Sequence, residues 1–137
     1  MPTRKQMPML VVVAILFWAV ATASIRWVPG SLTGPLRGGV LFVTSVPICW
    51  GCIRLVRWLA RLRPDQVLAA TTLVVGVATL IDAAVLRWAP FLYGTDEHVL
   101  RLGASWLLWG YGVTLLLALL KGRAAPAARS GIVLPVA

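Results

Sequence analysis

Four long apolar runs, each close to the length that crosses a bilayer, constrain this chain more than any other feature. Residues 7–25 and 38–53 carry no charge, 67–86 carry only Asp82, and 102–120 carry none. A helix needs about 20 apolar residues to traverse ~30 Å of hydrocarbon. Three runs meet that length directly, and the second does so when Arg37 and Arg54 snorkel from its ends. The runs are continuously apolar rather than alternating, the pattern of helices and not of membrane strands. The expected fold is an all-α, four-transmembrane-helix bundle with spans near 8–28, 36–57, 66–88 and 98–121. These form one domain, 1–123, followed by a disordered cytoplasmic tail, 124–137, that carries Pro126, Pro135 and small residues. Composition agrees, with 60% hydrophobic and 12% charged residues against roughly a quarter charged in soluble domains. That leaves too little polar surface for a soluble enzyme, and the chain is too apolar to be disordered. Two cysteines are too few for a disulfide scaffold.

The net charge of +9 does not point to nucleic acid, because the bases lie between apolar runs rather than on one polar domain. They sort by side instead. One side holds the nine bases Arg4, Lys5, Arg54, Arg57, Arg61, Arg63, Lys121, Arg123 and Arg129, with Asp65 as its acid. The other holds the four bases Arg26, Arg37, Arg87 and Arg101, with Asp96 and Glu97. The positive-inside rule then places both termini and the middle loop in the cytoplasm. A competing reading of the first run is a signal peptide cleaved after Ala21-Thr22-Ala23. Against it, the run is long enough to span and ends in an Arg-Trp interface pair.

Breaks between the spans carry turn chemistry. Val28-Pro29-Gly30 and Ala89-Pro90 end the first and third helices, and Gly94-Thr95-Asp96 offers a turn and an N-cap for the fourth. Ile25-Arg26-Trp27-Val28-Pro29 and Leu86-Arg87-Trp88-Ala89-Pro90 share one pattern 61 residues apart, and Trp50-Gly51 falls opposite Tyr111-Gly112. Two parallel helical-hairpin repeats would explain this, as would convergence on a snorkelling base, a belt Trp and a Pro.

Small residues mark packing faces. Ala69, Thr72, Gly76, Thr79 and Ala83 form a seam on the third helix, and Gly103, Leu107, Gly110 and Thr114 one on the fourth. The two seams are expected to face each other or a neighbouring subunit. Pro47 removes a backbone hydrogen bond within the second helix, where Thr44 and Ser45 can satisfy freed groups. Trp27, Trp88 and Trp58 fall at interfaces. Trp18, Trp106, Trp109 and Tyr111 lie deeper and form either a candidate aromatic cavity or ordinary interhelical packing.

Few residues can carry chemistry. Asp82 is the one acid inside a span, less than two turns from its exit, and Arg26, Arg87 and Arg101 share that side. The expected arrangement is an ion pair with one of these bases, the alternative a solute or proton site. Cys49-Trp50-Gly51-Cys52 is a C-x-x-C pattern, read as a redox pair or as two thiols packed like small hydrophobes. Asp96-Glu97-His98 offers three metal-ligand types, but adjacent positions on a helix start diverge around its axis, so a solvated cap is expected. Arg54, Arg57 and Arg61, with Trp58, share one face of a basic extension of the second helix, suited to anionic inner-leaflet lipids.

The run Ala104-Ser105-Trp106-Leu107-Leu108-Trp109-Gly110-Tyr111-Gly112, with Phe17-Trp18, Pro47 and Asp82, resembles an uncharacterised bacterial family of small four-helix integral membrane proteins, a domain of unknown function. The resemblance implies an uncleaved first helix, four spans and the bacterial plasma (inner) membrane, and it supplies no activity. Small multidrug exporters carry an essential acid in the first helix, and the first span here has none. The expected function is a non-enzymatic membrane component, without cofactor, that acts through homo-oligomer or partner contacts. One alternative is a transporter of a small solute or lipophilic compound using Asp82 and the aromatic cluster. The other is a membrane thiol redox protein using Cys49 and Cys52.

Overall fold

The computed structural model describes residues 1–124. They form four helices, α1 (Met7–Trp27), α2 (Pro35–Leu59), α3 (Val67–Trp88) and α4 (Glu97–Ala124), with no strand among the described residues. Each is long and apolar enough to cross a membrane, which makes the chain an integral, multi-pass membrane protein. The expected tail lies outside the described residues, apart from Ala124, which closes α4.

Local chemistry sets the helix ends. α1 and α3 stop one residue before the x-Pro step, and each is followed by a single 3-10 turn, Pro29–Ser31 or Pro90–Leu92. Asp96 Oδ1 accepts the N–H groups of His98 and Val99 at 2.8 and 3.3 Å, so it caps α4 and satisfies two otherwise orphaned donors. α2 begins at Pro35 after Gly34, whose φ of 100° a side chain would strain. It ends in a Schellman turn, in which Leu62 N–H donates to Arg57 O at 2.9 Å and Arg61 N–H to Trp58 O at 3.3 Å.

The helices pack in the spatial order α1–α3–α4–α2, and the ring is left open because α1 and α2 share no extended contact. α3 is the central helix and buries Val67, Ala70, Thr71, Val74, Val75, Ala78 and Asp82. One apolar cluster, built on Leu10, Val13, Ala14, Val56 and Ala70, fills the end that carries the α2–α3 turn. A second, around Ile25, Leu32, Tyr93, Val99 and Leu107, fills the opposite end. Outward faces are as apolar as the core, with Leu16, Val43, Leu80, Leu108 and Leu116 exposed, as hydrocarbon permits and water would not.

Two packing expectations change. The two hairpins share their turn, with the cap residues Val28 and Ala89 in nearly the same conformation (φ −127°, ψ 51° and φ −141°, ψ 50°). They do not share their packing, because α3 and α4 lie against each other while α1 and α2 come together only at the end that carries the α2–α3 turn. Nor do the small-residue seams meet. Thr72, Gly76 and Ala83 are exposed and Ala69 is half-buried, so the seam of α3 looks away from the bundle, and a Cβ on Gly76 would touch nothing. Gly103 is covered by α1 instead, where a Cβ would stand 3.1 Å from two carbons of Ile25. Burying the bulkier Val74 and Val75 line of α3 gives more dispersion contact than a seam without branched side chains.

Candidate functional site

Asp82 is 4% exposed and sits one and a half turns from the end of α3. An ionised carboxylate there needs donors on both oxygens. Tyr93 O–H donates to Oδ1 and Tyr111 O–H to Oδ2. Tyr111 comes from α4, and Tyr93 from the turn between α3 and α4. Trp18 of α1 then donates its indole N–H to Tyr93 Oη at 3.0 Å, so one chain of hydrogen bonds links three helices through the carboxylate. Tyr93 is 1% exposed, and its phenol is pushed up to about 12, first by burial and then by its hydrogen bond to Asp82.

The expected ion pair of Asp82 with Arg26, Arg87 or Arg101 is not formed. Among the described residues the one salt bridge is Arg63 Nε to Asp65 Oδ1, at 3.3 Å. Helical geometry gives the reason for Arg87. Five positions from Asp82, it lies about 140° around α3 and points to solvent. Arg101 is also exposed, and Arg26 is occupied elsewhere. Its guanidinium donates to Phe91 O at 2.8 Å and Leu92 O at 3.4 Å, tying α1 to the turn that delivers Tyr93. Sequence reasoning gives Tyr93 no role, yet a signal for it exists. The chain contains two tyrosines, and an intramembrane carboxylate without a facing base requires hydroxyl donors.

Beside this network a cavity of about 410 Å³ runs through the middle of the bundle and takes its walls from all four helices. Trp18 and Ala21 of α1, Cys49 and Cys52 of α2, Ala78 of α3 and Trp106, Gly110 and Tyr111 of α4 are among them. Val20 and Ile48, both exposed and both on its lining, mark a mouth between α1 and α2 where the ring is open. Of the four deep aromatics, Trp18, Trp106 and Tyr111 therefore share the cavity. Trp109 turns away, and its N–H bonds Ser45 Oγ at 3.0 Å and Phe42 O at 3.1 Å, just ahead of Pro47. The indole N–H of Trp106 is buried and has no hydrogen-bond partner among the described residues. Gly110 contributes an empty position to the wall, since a Cβ there meets nothing within 4 Å.

The remaining candidates take no part in the hydrogen bonds to Asp82. Cys49 and Cys52 are free thiols, and the Cys49 thiol donates weakly to Gly110 O at 3.6 Å rather than facing a base. Arg54, Arg57 and Arg61 line a separate, open groove at the end of the bundle where the α2–α3 turn lies, together with Lys121. No family model matches the chain, and no curated protein or solved structure is significantly similar to it.

Proposed function

We propose that this integral membrane protein is a non-enzymatic binder of an uncharged lipophilic molecule, admitted from the bilayer between α1 and α2. The supporting observation is the four-helix cavity, lined by apolar and aromatic side chains that include Phe17, Trp18, Leu41, Val74 and Trp106. Its volume lies within the ~300–1,000 Å³ range of small-molecule sites. Asp82 positions the wall through Tyr111 instead of meeting the ligand, because it lies behind that ring. Cys49 and Cys52, without a facing base, contribute apolar surface.

The test is binding of a fluorescent lipophilic ketone, 6-propionyl-2-(dimethylamino)naphthalene, to protein in lipid nanodiscs. Gly110→Phe should fill the cavity and abolish saturable binding without lowering thermal stability. Equal binding by Gly110→Phe and the parent protein would end this reading.

A second reading, action through a homo-oligomer or a partner subunit, is favoured by the exposed seam of Thr72, Gly76 and Ala83 on α3. Copper-catalysed disulfide trapping of Gly76→Cys between copies in native membranes tests it. We further propose that the termini and the α2–α3 turn face the cytoplasm of a bacterial cell, on the excess of bases at that end. A reporter fused after Arg63 and active on the outside would reverse that orientation.

A further inference from the structure

The end of the bundle that carries the α2–α3 turn holds a second, chemically opposite feature. The groove there measures about 1100 Å³ and is walled by Arg54, Arg57, Arg61 and Lys121 with no carboxylate among its lining residues. Arg54 and Arg57 come from α2, Arg61 from the residue after its cap, and the lysine from α4. Arg54 and Lys121 converge on one ring, with the guanidinium carbon 4.6 Å and the ammonium nitrogen 4.8 Å from the centre of Trp50. The nearest acid in sequence, Asp65, is engaged by Arg63 at 3.3 Å. Four like charges thus share one groove without an anion among the described residues lining it to relieve their repulsion.

Arg61 adds a backbone observation. It occupies the residue after the helix cap with φ 48°, the left-handed region where glycine is usual and a Cβ is disfavoured. The strained position turns the Arg61 side chain onto the groove that Arg54 and Arg57 already line. Apolar side chains also line the groove, from Ile53 of α2, Leu62 of the α2–α3 turn and Val67 at the start of α3. A ligand that fits both parts is anionic at the interface and continues into hydrocarbon.

We propose that this groove binds the phosphodiester headgroup of an anionic phospholipid of the adjoining leaflet. Arg54 and Arg57 present planar forks to the phosphate oxygens, and Lys121 adds a point charge from the facing helix. Trp50 holds the two outer cations in place by their approach to its ring. The opposite end of the bundle offers no such cluster, since Arg26 is spent on backbone carbonyls and Asp96 and Glu97 lie beside Arg101.

The full chain, purified in mild detergent, is titrated with phosphatidylglycerol and with phosphatidylcholine of the same acyl chains, and adducts are counted by native mass spectrometry. Phosphatidylglycerol should be retained as a discrete adduct and phosphatidylcholine should not. Arg54→Gln and Lys121→Gln should each weaken retention about fivefold, and the double variant about 25-fold, from the ~1 kcal/mol that one base near a membrane contributes. Arg54→Lys keeps the charge but loses the fork and should restore only part of the binding, whereas Arg101→Gln, at the other end, should keep all of it. Should Arg54→Gln fail to fold by its melting curve, Arg57→Gln on the same wall carries the same expectation. Equal retention of the two lipids, or a double variant that holds phosphatidylglycerol as the parent does, overturns the proposal. So does displacement of the lipid by inorganic phosphate at matched concentration, which would mark a site for the free anion.

Discussion

Replacing Tyr111 with Phe removes one hydroxyl from the interior and leaves the ring volume unchanged. In the folded protein each oxygen of Asp82 accepts one phenol hydrogen, and the carboxylate keeps 4% of its exposure. Without Tyr111 Oη, Oδ2 is left bare in a place water does not reach. A hydrogen bond to a charged group contributes about 1.5–3 kcal/mol, so Tyr111→Phe should destabilise the fold by about 2 kcal/mol. The same deletion in an Asp82→Leu background should cost almost nothing, because the partner is already gone. The double-mutant cycle for Asp82 and Tyr111 should therefore return a coupling of about 2 kcal/mol, read by equilibrium unfolding in mixed detergent–SDS micelles. The cycle for Asp82 and Arg87 should return less than ~0.5 kcal/mol, since the two point to different sides of α3. A coupling near zero for the tyrosine with ~1 kcal/mol or more for the arginine would mean that an ion pair, and not the phenols, holds the carboxylate.

Two further outcomes follow from the same geometry. Tyr93 is pushed up to about 12, whereas an unfolded tyrosine ionises near ~10. Below pH ~10 both states hold the proton and the contribution is whole. Between about 10 and 12 the unfolded chain loses its proton first, so stability falls, and Tyr93→Phe should show a shallower alkaline decline in unfolding titrations over that window. On the packing side, Gly103→Ala drives a methyl against Ile25 and should cost about 1–3 kcal/mol. Gly76→Ala meets open space and should leave the melting temperature of the monomer unchanged or raised.

The helices were legible because their causes are local. Apolar run length fixed the four spans, Pro29 and Pro90 fixed where α1 and α3 stop, and Asp96 announced the start of α4. Packing was not legible, and the bilayer explains why. In hydrocarbon the lipid-facing side of a helix is as apolar as the buried side, so Val43 and Val74 look alike in sequence although one is exposed and the other buried. The ring order α1–α3–α4–α2, the gap between α1 and α2 and the outward turn of Trp109 all depend on that hidden choice. Asp82 stood out as the odd residue, but its partner was decided by where α4 delivers Tyr111 and by how Arg26 clamps the turn bearing Tyr93. Charge proximity by sequence favoured Arg87 and Arg101, which are exposed, and Arg26, whose guanidinium is taken by backbone carbonyls.

Cys49 and Cys52, the chain's two cysteines, both line the cavity and so report on it without any engineered residue. Their reaction rates with a neutral, membrane-soluble maleimide and with a charged, water-soluble thiosulfonate can be followed by intact-mass spectrometry in nanodiscs. A cavity that opens to the bilayer between α1 and α2 requires fast labelling by the neutral reagent, slow labelling by the charged one, and at least tenfold slowing of the neutral reagent by Gly110→Phe. Comparable rates for both reagents, unaffected by Gly110→Phe, would mean that the thiols face water or lipid directly and that the helices enclose no such space.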